Sequence, residues 1–246
     1  TLAHALFAGI DASMAPNAFV LVTDRLGSGY LGPYGNTWIE TRGWNRLAAQ
    51  STLFETALVD SPSLTRIYDS YWHGSHALST ADPYPTPPVA ELLSEKSIQS
   101  WLVTDERLVA EHPGAAAFDE RVVLPPGESR SAGTLEGTQL ARLFATTLDV
   151  VQQHASSPFL IWVHAQAMQA PWDAPYYLRS QFAEPGDPSP PDFTQPPELH
   201  LEEDCDPDLV LGIQQAYGGQ VALLDSCLNI LLDALESSTL VDSTAL

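Results

Sequence analysis

An apolar run from Ala18 to Val22, with two β-branched members, stops abruptly at Asp24 and gives way to a stretch holding Gly27, Gly29, Gly32 and Gly35. This is the pattern of a buried strand that delivers a carboxylate to its C-terminal end. In open α/β sheets that end is where sites are built. The rest of the chain is therefore read for further strands ending in polar residues, separated by helices.

Thr41 offers an N-cap, and Trp44, Leu47 and Ala48 follow on one helical face. Leu53 to Val59 reads as a second strand, and Ser61-Pro62-Ser63 as a turn into a helix. The four prolines of 82–88 dictate an irregular loop. A short helix over Val89 to Lys96 leads into a strand from Ile98 to Thr104, which runs into Asp105 and Glu106. Arg121 to Leu124 is a further short strand. From Leu135 to His154, apolar residues recur at Leu140, Leu143, Phe144, Leu148 and Val151, the period of a helix with one buried face. Phe159 to Val163 is the next buried strand, capped by His164. Pro185 to Pro197 is a proline-rich loop. Asp208 to Glu236 is a long helix, with Ile213, Tyr217, Val221, Leu224, Leu228, Leu231 and Leu235 at spacings of 3 and 4. The alternation argues for a largely parallel sheet covered on both faces.

With 246 residues and 44% hydrophobic content, the chain can bury one large core, and a single α/β domain over 1–246 is expected. Its 31 acidic and 10 basic residues give a formal charge of -21, which argues against nucleic acid or an anionic membrane as partner. Cys205 and Cys227 are too few for a disulfide framework and could pair or stay free. Residues 2–10 are apolar but too short to span a bilayer, so no transmembrane segment is expected. The sequence starts at Thr1, and a targeting segment upstream is left open. His73 and His76 in His-Gly-Ser-His lack further ligands nearby and read as a surface loop.

Pro16-Asn17, the strand, Asp24 and Leu31-Gly32-Pro33-Tyr34-Gly35-Asn36 resemble the opening of the sulfatases in the alkaline phosphatase superfamily. Residues 41–62, 158–175 and 217–236 resemble, in the same order, that family's segment before the nucleophile, its histidine strand and its long helix. The resemblance implies an alkaline phosphatase-like three-layer α/β sandwich with a largely parallel central sheet. It also implies a divalent cation held by carboxylates, a nucleophile beside it, and groups that neutralise the leaving oxyanion.

Position by position, this chain departs from that pattern. Asp24 is followed by Arg25 where the family commonly has a second aspartate. The nucleophile motif falls on Leu64 to Tyr68, with Leu64 at the nucleophile position and Thr65 one residue on. The histidine strand retains His164, but the second histidine reads Gln169. Asp105-Glu106-Arg107 stands where a lysine-bearing motif is common. Residues 240–246 resemble the approach to the family's second metal motif, which does not follow within this sequence. The expectation is a sulfatase-like domain that has lost ester hydrolysis and keeps a scaffold or binding role for an unknown ligand or protein partner in the old cleft. No cofactor is then expected. The alternative is an active sulfuric or phosphoric ester hydrolase with Asp24 on calcium or magnesium and Thr65 and His164 as catalytic residues.

Overall fold

The computed structural model describes residues 17–78, 86–127, 130–154, 158–200, 202–238 and 240–246, with the backbone alone at 241–242. The apolar residues 2–10 and most of the proline loop at 82–88 lie outside them.

In chain order the regular elements are β1 (Asn17–Thr23), α1 (Arg42–Ala49), α2 (Leu64–His73), α3 (Val89–Ser94), β2 (Gln99–Thr104), α4 (Arg107–Ala110), β3 (Glu120–Val123), α5 (Gln139–His154), β4 (Phe159–Ala165), α6 (Tyr176–Ser180), α7 (Pro207–Ser237) and β5 (Thr244–Ala245). Short 3-10 turns link several of them. The five strands form one sheet in the order β3-β2-β4-β1-β5, and every pairing is parallel.

Side chains alternate between the two faces of each strand, and this divides the core. Phe159, Ile161, Val163 and Ala165 of β4 join Phe19 of β1 and Trp101 and Val103 of β2 against α5 and α7. Leu160 and Trp162 of β4 join Leu102 against Tyr68 and Trp72 of α2, Ala90 and Leu93 of α3, and Val109 of α4. The result is the expected three-layer α/β sandwich. His164 and Asp24 fall in the same alternation as Leu160, Trp162 and Val22, so both turn toward the α2 layer.

α7 begins where Asp206 accepts a hydrogen bond from Asp208 N at 3.0 Å and Pro207 occupies the first helical position. It is long and apolar enough to cross a membrane, yet 72% of its most apolar window is buried in the fold. It packs on α1, α5 and α6. Gly43 of α1 makes the α1 crossing possible, since a β-carbon there would lie 2.9 Å from the Asp225 carbonyl oxygen.

Three expectations are corrected. Leu53 to Val59 forms no strand: it lies at the surface, with Leu58 92% and Phe54 70% exposed, and its β-branched composition does not outweigh the lack of a neighbouring strand. His164 lies inside β4 and does not cap it, because pairing with β2 and β1 continues through Thr104 and Thr23. His73 is not in a surface loop: it closes α2, is buried, and its Nδ1 lies 2.9 Å from the Thr86 carbonyl. His76 is exposed, as expected. Thr41 does precede α1, but its hydroxyl accepts from Gly32 N at 2.8 Å and makes no cap bond.

Candidate functional site

Parallel strands bring Asp24 after β1, Asp105 after β2 and Gln166 after β4 to one edge of the sheet. Gln169 lies at the same edge, its N–H donating to the Gln166 carbonyl at 2.8 Å. The Asp24 backbone is fixed by the neighbouring loop: its N–H donates to the Ala165 carbonyl at 3.1 Å, and its carbonyl accepts from Met168 N at 3.3 Å. Two non-glycine residues flank this junction in left-handed conformation, Arg25 at φ 55° and Ala167 at φ 46°. Such positions persist where surrounding structure overrides their local cost. Here Tyr217 of α7 helps, donating its hydroxyl to the Arg25 carbonyl at 3.0 Å and accepting Gly27 N at 2.9 Å.

Below Asp24 a chain of polar groups runs into the core. Trp162 Nε1 donates to the Tyr68 hydroxyl oxygen at 3.3 Å, and that hydroxyl lies 2.7 Å from His164 Nδ1. An indole nitrogen can only donate, so the phenol accepts from Trp162, and His164 Nδ1 is the one acceptor among its two hydrogen-bond partners that can take the buried hydroxyl hydrogen. The imidazole proton then sits on Nε2, which is buried, lacks a hydrogen bond within normal range, and lies 3.5 Å from Asp24 Oδ2. Burial pushes the Tyr68 phenol well above its ordinary value, with the nearby Asp24 charge adding to the shift and the Trp162 bond opposing it. Tyr68 is therefore a neutral hydrogen-bond donor.

The other acids at this edge are built into the backbone. Asp105 Oδ1 accepts Gln166 N at 2.9 Å, and burial raises its pKa against that bond. Glu106 Oε1 caps α4 through Leu108 N at 2.8 Å, while its Oε2 accepts Gln166 Nε2 at 3.0 Å. Behind them, Asp173 Oδ2 accepts Gln139 N at 2.6 Å and its Oδ1 is buried without a partner. Arg179, fully buried, donates to the carbonyls of Trp172, Ala174, Pro191 and Phe193, which ties down the proline-rich loop.

The remaining sequence candidates are not drawn into this cluster. Thr65 lies exposed on the first turn of α2; its backbone is hydrogen-bonded to the His112 imidazole, while its hydroxyl joins no hydrogen bond to the other sequence candidates. Leu64 is half-buried and packs on the α2-side core. His112, which sequence reasoning passed over, is buried beside Tyr68 with Nε2 3.1 Å from Asp69 Oδ1 and Nδ1 accepting Gly114 N. Burial lowers its pKa, and Asp69 opposes the shift. Tyr68 and Trp72, four apart on α2, were the available signal that this helix buries an aromatic stripe.

The fold family implies a divalent cation here. Calcium takes six to eight oxygens and magnesium a near-octahedral oxygen shell. Among the described residues, no group of three or more His, Cys, Asp and Glu side chains could share an ion. The Asp24 carboxylate faces one imidazole, and the next residue is a guanidinium. The residues present do not fit calcium or magnesium.

No protein-family model and no curated protein sequence matches the chain. Solved structures do. The phosphonate monoester hydrolase of Agrobacterium radiobacter is 14% identical, with a TM-score of 0.71, over 93% of this chain and 61% of that one. A structure solved with its substrate D-glucosamine-2-N,6-O-disulfate is 14% identical, with a TM-score of 0.70, over 94% and 64%. The C-terminal periplasmic domain of EptC from Escherichia coli, in complex with zinc, is 14% identical, with a TM-score of 0.62, over 91% and 60%. The chain thus spans about three fifths of the length of these structures. At that identity the likeness concerns architecture: the chain has the fold of the alkaline phosphatase superfamily.

Proposed function

We propose that this chain is a single sulfatase-like domain that does not hydrolyse sulfate or phosphate esters and keeps a scaffold or binding role at the C-terminal edge of its sheet. The observation that carries the reading is the pairing of Tyr68 with His164. An imidazole whose Nδ1 is occupied by a phenol inside the core is held as part of the scaffold, and its Nε2 edge faces Asp24. Leu64 at the nucleophile position has no atom that can attack an ester, and the Thr65 hydroxyl lies exposed, outside the Tyr68–His164–Asp24 cluster. Asp105 and Glu106 serve the backbone, which leaves Asp24 and the exposed Arg25 as the groups a ligand or partner would meet.

A second reading, an ester hydrolase using Asp24, Thr65 and His164, draws on one observation: the His164 Nε2 atom is buried, lacks a hydrogen bond and lies close to Asp24. Turnover of an aryl sulfate and an aryl phosphate by the 246-residue chain, with and without calcium or magnesium, separates the two. No rate above background is expected. Turnover lost in both Asp24→Ala and Thr65→Ala would establish the hydrolase instead.

A further inference from the structure

On the other face of the sheet from Tyr68 and His164, α7, α6 and the segment before α1 enclose a second cleft of about 470 Å³. Its aromatic wall is a pair, Trp38 and Phe182, with ring centroids 4.8 Å apart and planes inclined by 46°. The pair is seated on α7 where Gly218 leaves room: a β-carbon there would lie 3.1 Å from Phe182 and 3.3 Å from Trp38. Trp38 is nevertheless 42% exposed, so much of the indole surface stays open. The opening is flanked by Glu40 and Glu184, with Asp225 deeper in the lining, against a single guanidinium, Arg42, which is already paired with Glu40 at 2.8 Å. Asp225 is 94% buried by its 6% exposure and is held toward α1 by Trp44 N at 3.0 Å.

We propose that this cleft binds an organic ammonium ion with an apolar body, a site independent of the one at Asp24. Trp38 and Phe182 both line the cleft, an aromatic face attracts a cation, and quaternary or alkylated ammonium groups suit such walls because their charge is diffuse and weakly hydrated. The surrounding charge has the matching sign: Glu40 and Arg42 offset each other as a pair, and Glu184 leaves the rim net negative, within a chain of charge -21. An anion would meet both like charge and the π faces. The size is that of a small-molecule site.

Choline and its uncharged isostere 3,3-dimethylbutan-1-ol are the probes, titrated calorimetrically into the purified chain. Choline is expected to bind saturably, with the isostere weaker by about fivefold or more and choline binding weakening as salt is raised. Trp38→Ala and Glu184→Gln should each weaken choline binding; Glu184 is exposed, so the second variant tests the site even if the first fails to fold. Equal binding of the two probes, an affinity indifferent to both substitutions, no saturable binding of choline, or preferential binding of a neutral methyl glucoside would each overturn the proposal.

Discussion

The Tyr68 hydroxyl lies 2.7 Å from His164 Nδ1, so a helix on one face of the sheet and the central strand share a buried hydrogen bond. Both side chains are completely inaccessible to solvent. Tyr68→Phe would remove the oxygen while keeping the ring, stranding His164 Nδ1 and Trp162 Nε1 in the core. Each buried polar atom left without a partner costs about 1–3 kcal/mol. A loss of at least about 1 kcal/mol in urea unfolding is expected; an unchanged midpoint would mean that the bond does not hold the layers together.

The α1–α7 contact makes a second prediction, in which two effects of opposite sign compete. Gly43→Ala gains about 1 kcal/mol of helix propensity. The added methyl would meet the Asp225 carbonyl oxygen at 2.9 Å and Asn229 N at 3.1 Å, backbone atoms of a helix that cannot swing aside. Overpacking of this kind costs about 1–3 kcal/mol, and rigid neighbours put it at the upper end. Thermal unfolding should show a net loss of stability; a rise in Tm would mean that α1 moves freely on α7.

Asp173 gives a pH signature. Burial raises its folded pKa above the ordinary 3.8, and the bond from Gln139 N only partly opposes the shift. A carboxyl raised on folding favours the folded state fully below pH 3.8 and loses that contribution as pH climbs through the raised value. Asp173→Asn stays neutral throughout and has nothing to lose there. Urea unfolding of both proteins at steps from about pH 4 to pH 7 should show the difference, variant minus parent, rising with pH. Parallel curves would place the Asp173 pKa at its unfolded value.

The sequence pattern identified the strands from Gln99, Phe159 and Asn17 and the helices from Gln139 and Pro207, because each carries a long apolar period. It erred at Leu53 to Val59, where strand composition met no partner strand, a fact that lies in the sheet order and not in the segment. The three carboxylates that follow strands look alike in the sequence. Only the structure separates Asp105 and Glu106, engaged by backbone N–H groups and glutamine side-chain amides, from Asp24, which faces His164. Tyr68, Asp173 and Arg179 escaped notice because their partners lie 94 or 96 residues away for Tyr68, 34 residues away for Asp173 and in irregular loops for Arg179, where no short spacing connects them.

The last prediction concerns Leu64, which the resemblance in the sequence implies at the nucleophile position of that family. Leu64→Ser or Leu64→Cys restores an attacking atom on the first turn of α2, and both should remain inactive toward aryl sulfates and aryl phosphates. The half-buried leucine packs on the α2-side core, so the change also removes apolar contact and should cost about 1–3 kcal/mol of stability. More decisively, a nucleophile alone supplies little. Residues of a catalytic unit act non-additively, so restoring one among several missing members recovers almost none of the rate. The groups that would have to assist it are otherwise engaged, His164 by Tyr68 and Asp105 by Gln166. Steady-state assays of the folded variants, with and without calcium or magnesium, test this. Turnover in Leu64→Ser that disappears again in Leu64→Ser with Asp24→Ala would mean that the remaining machinery is intact and that a single substitution had silenced it.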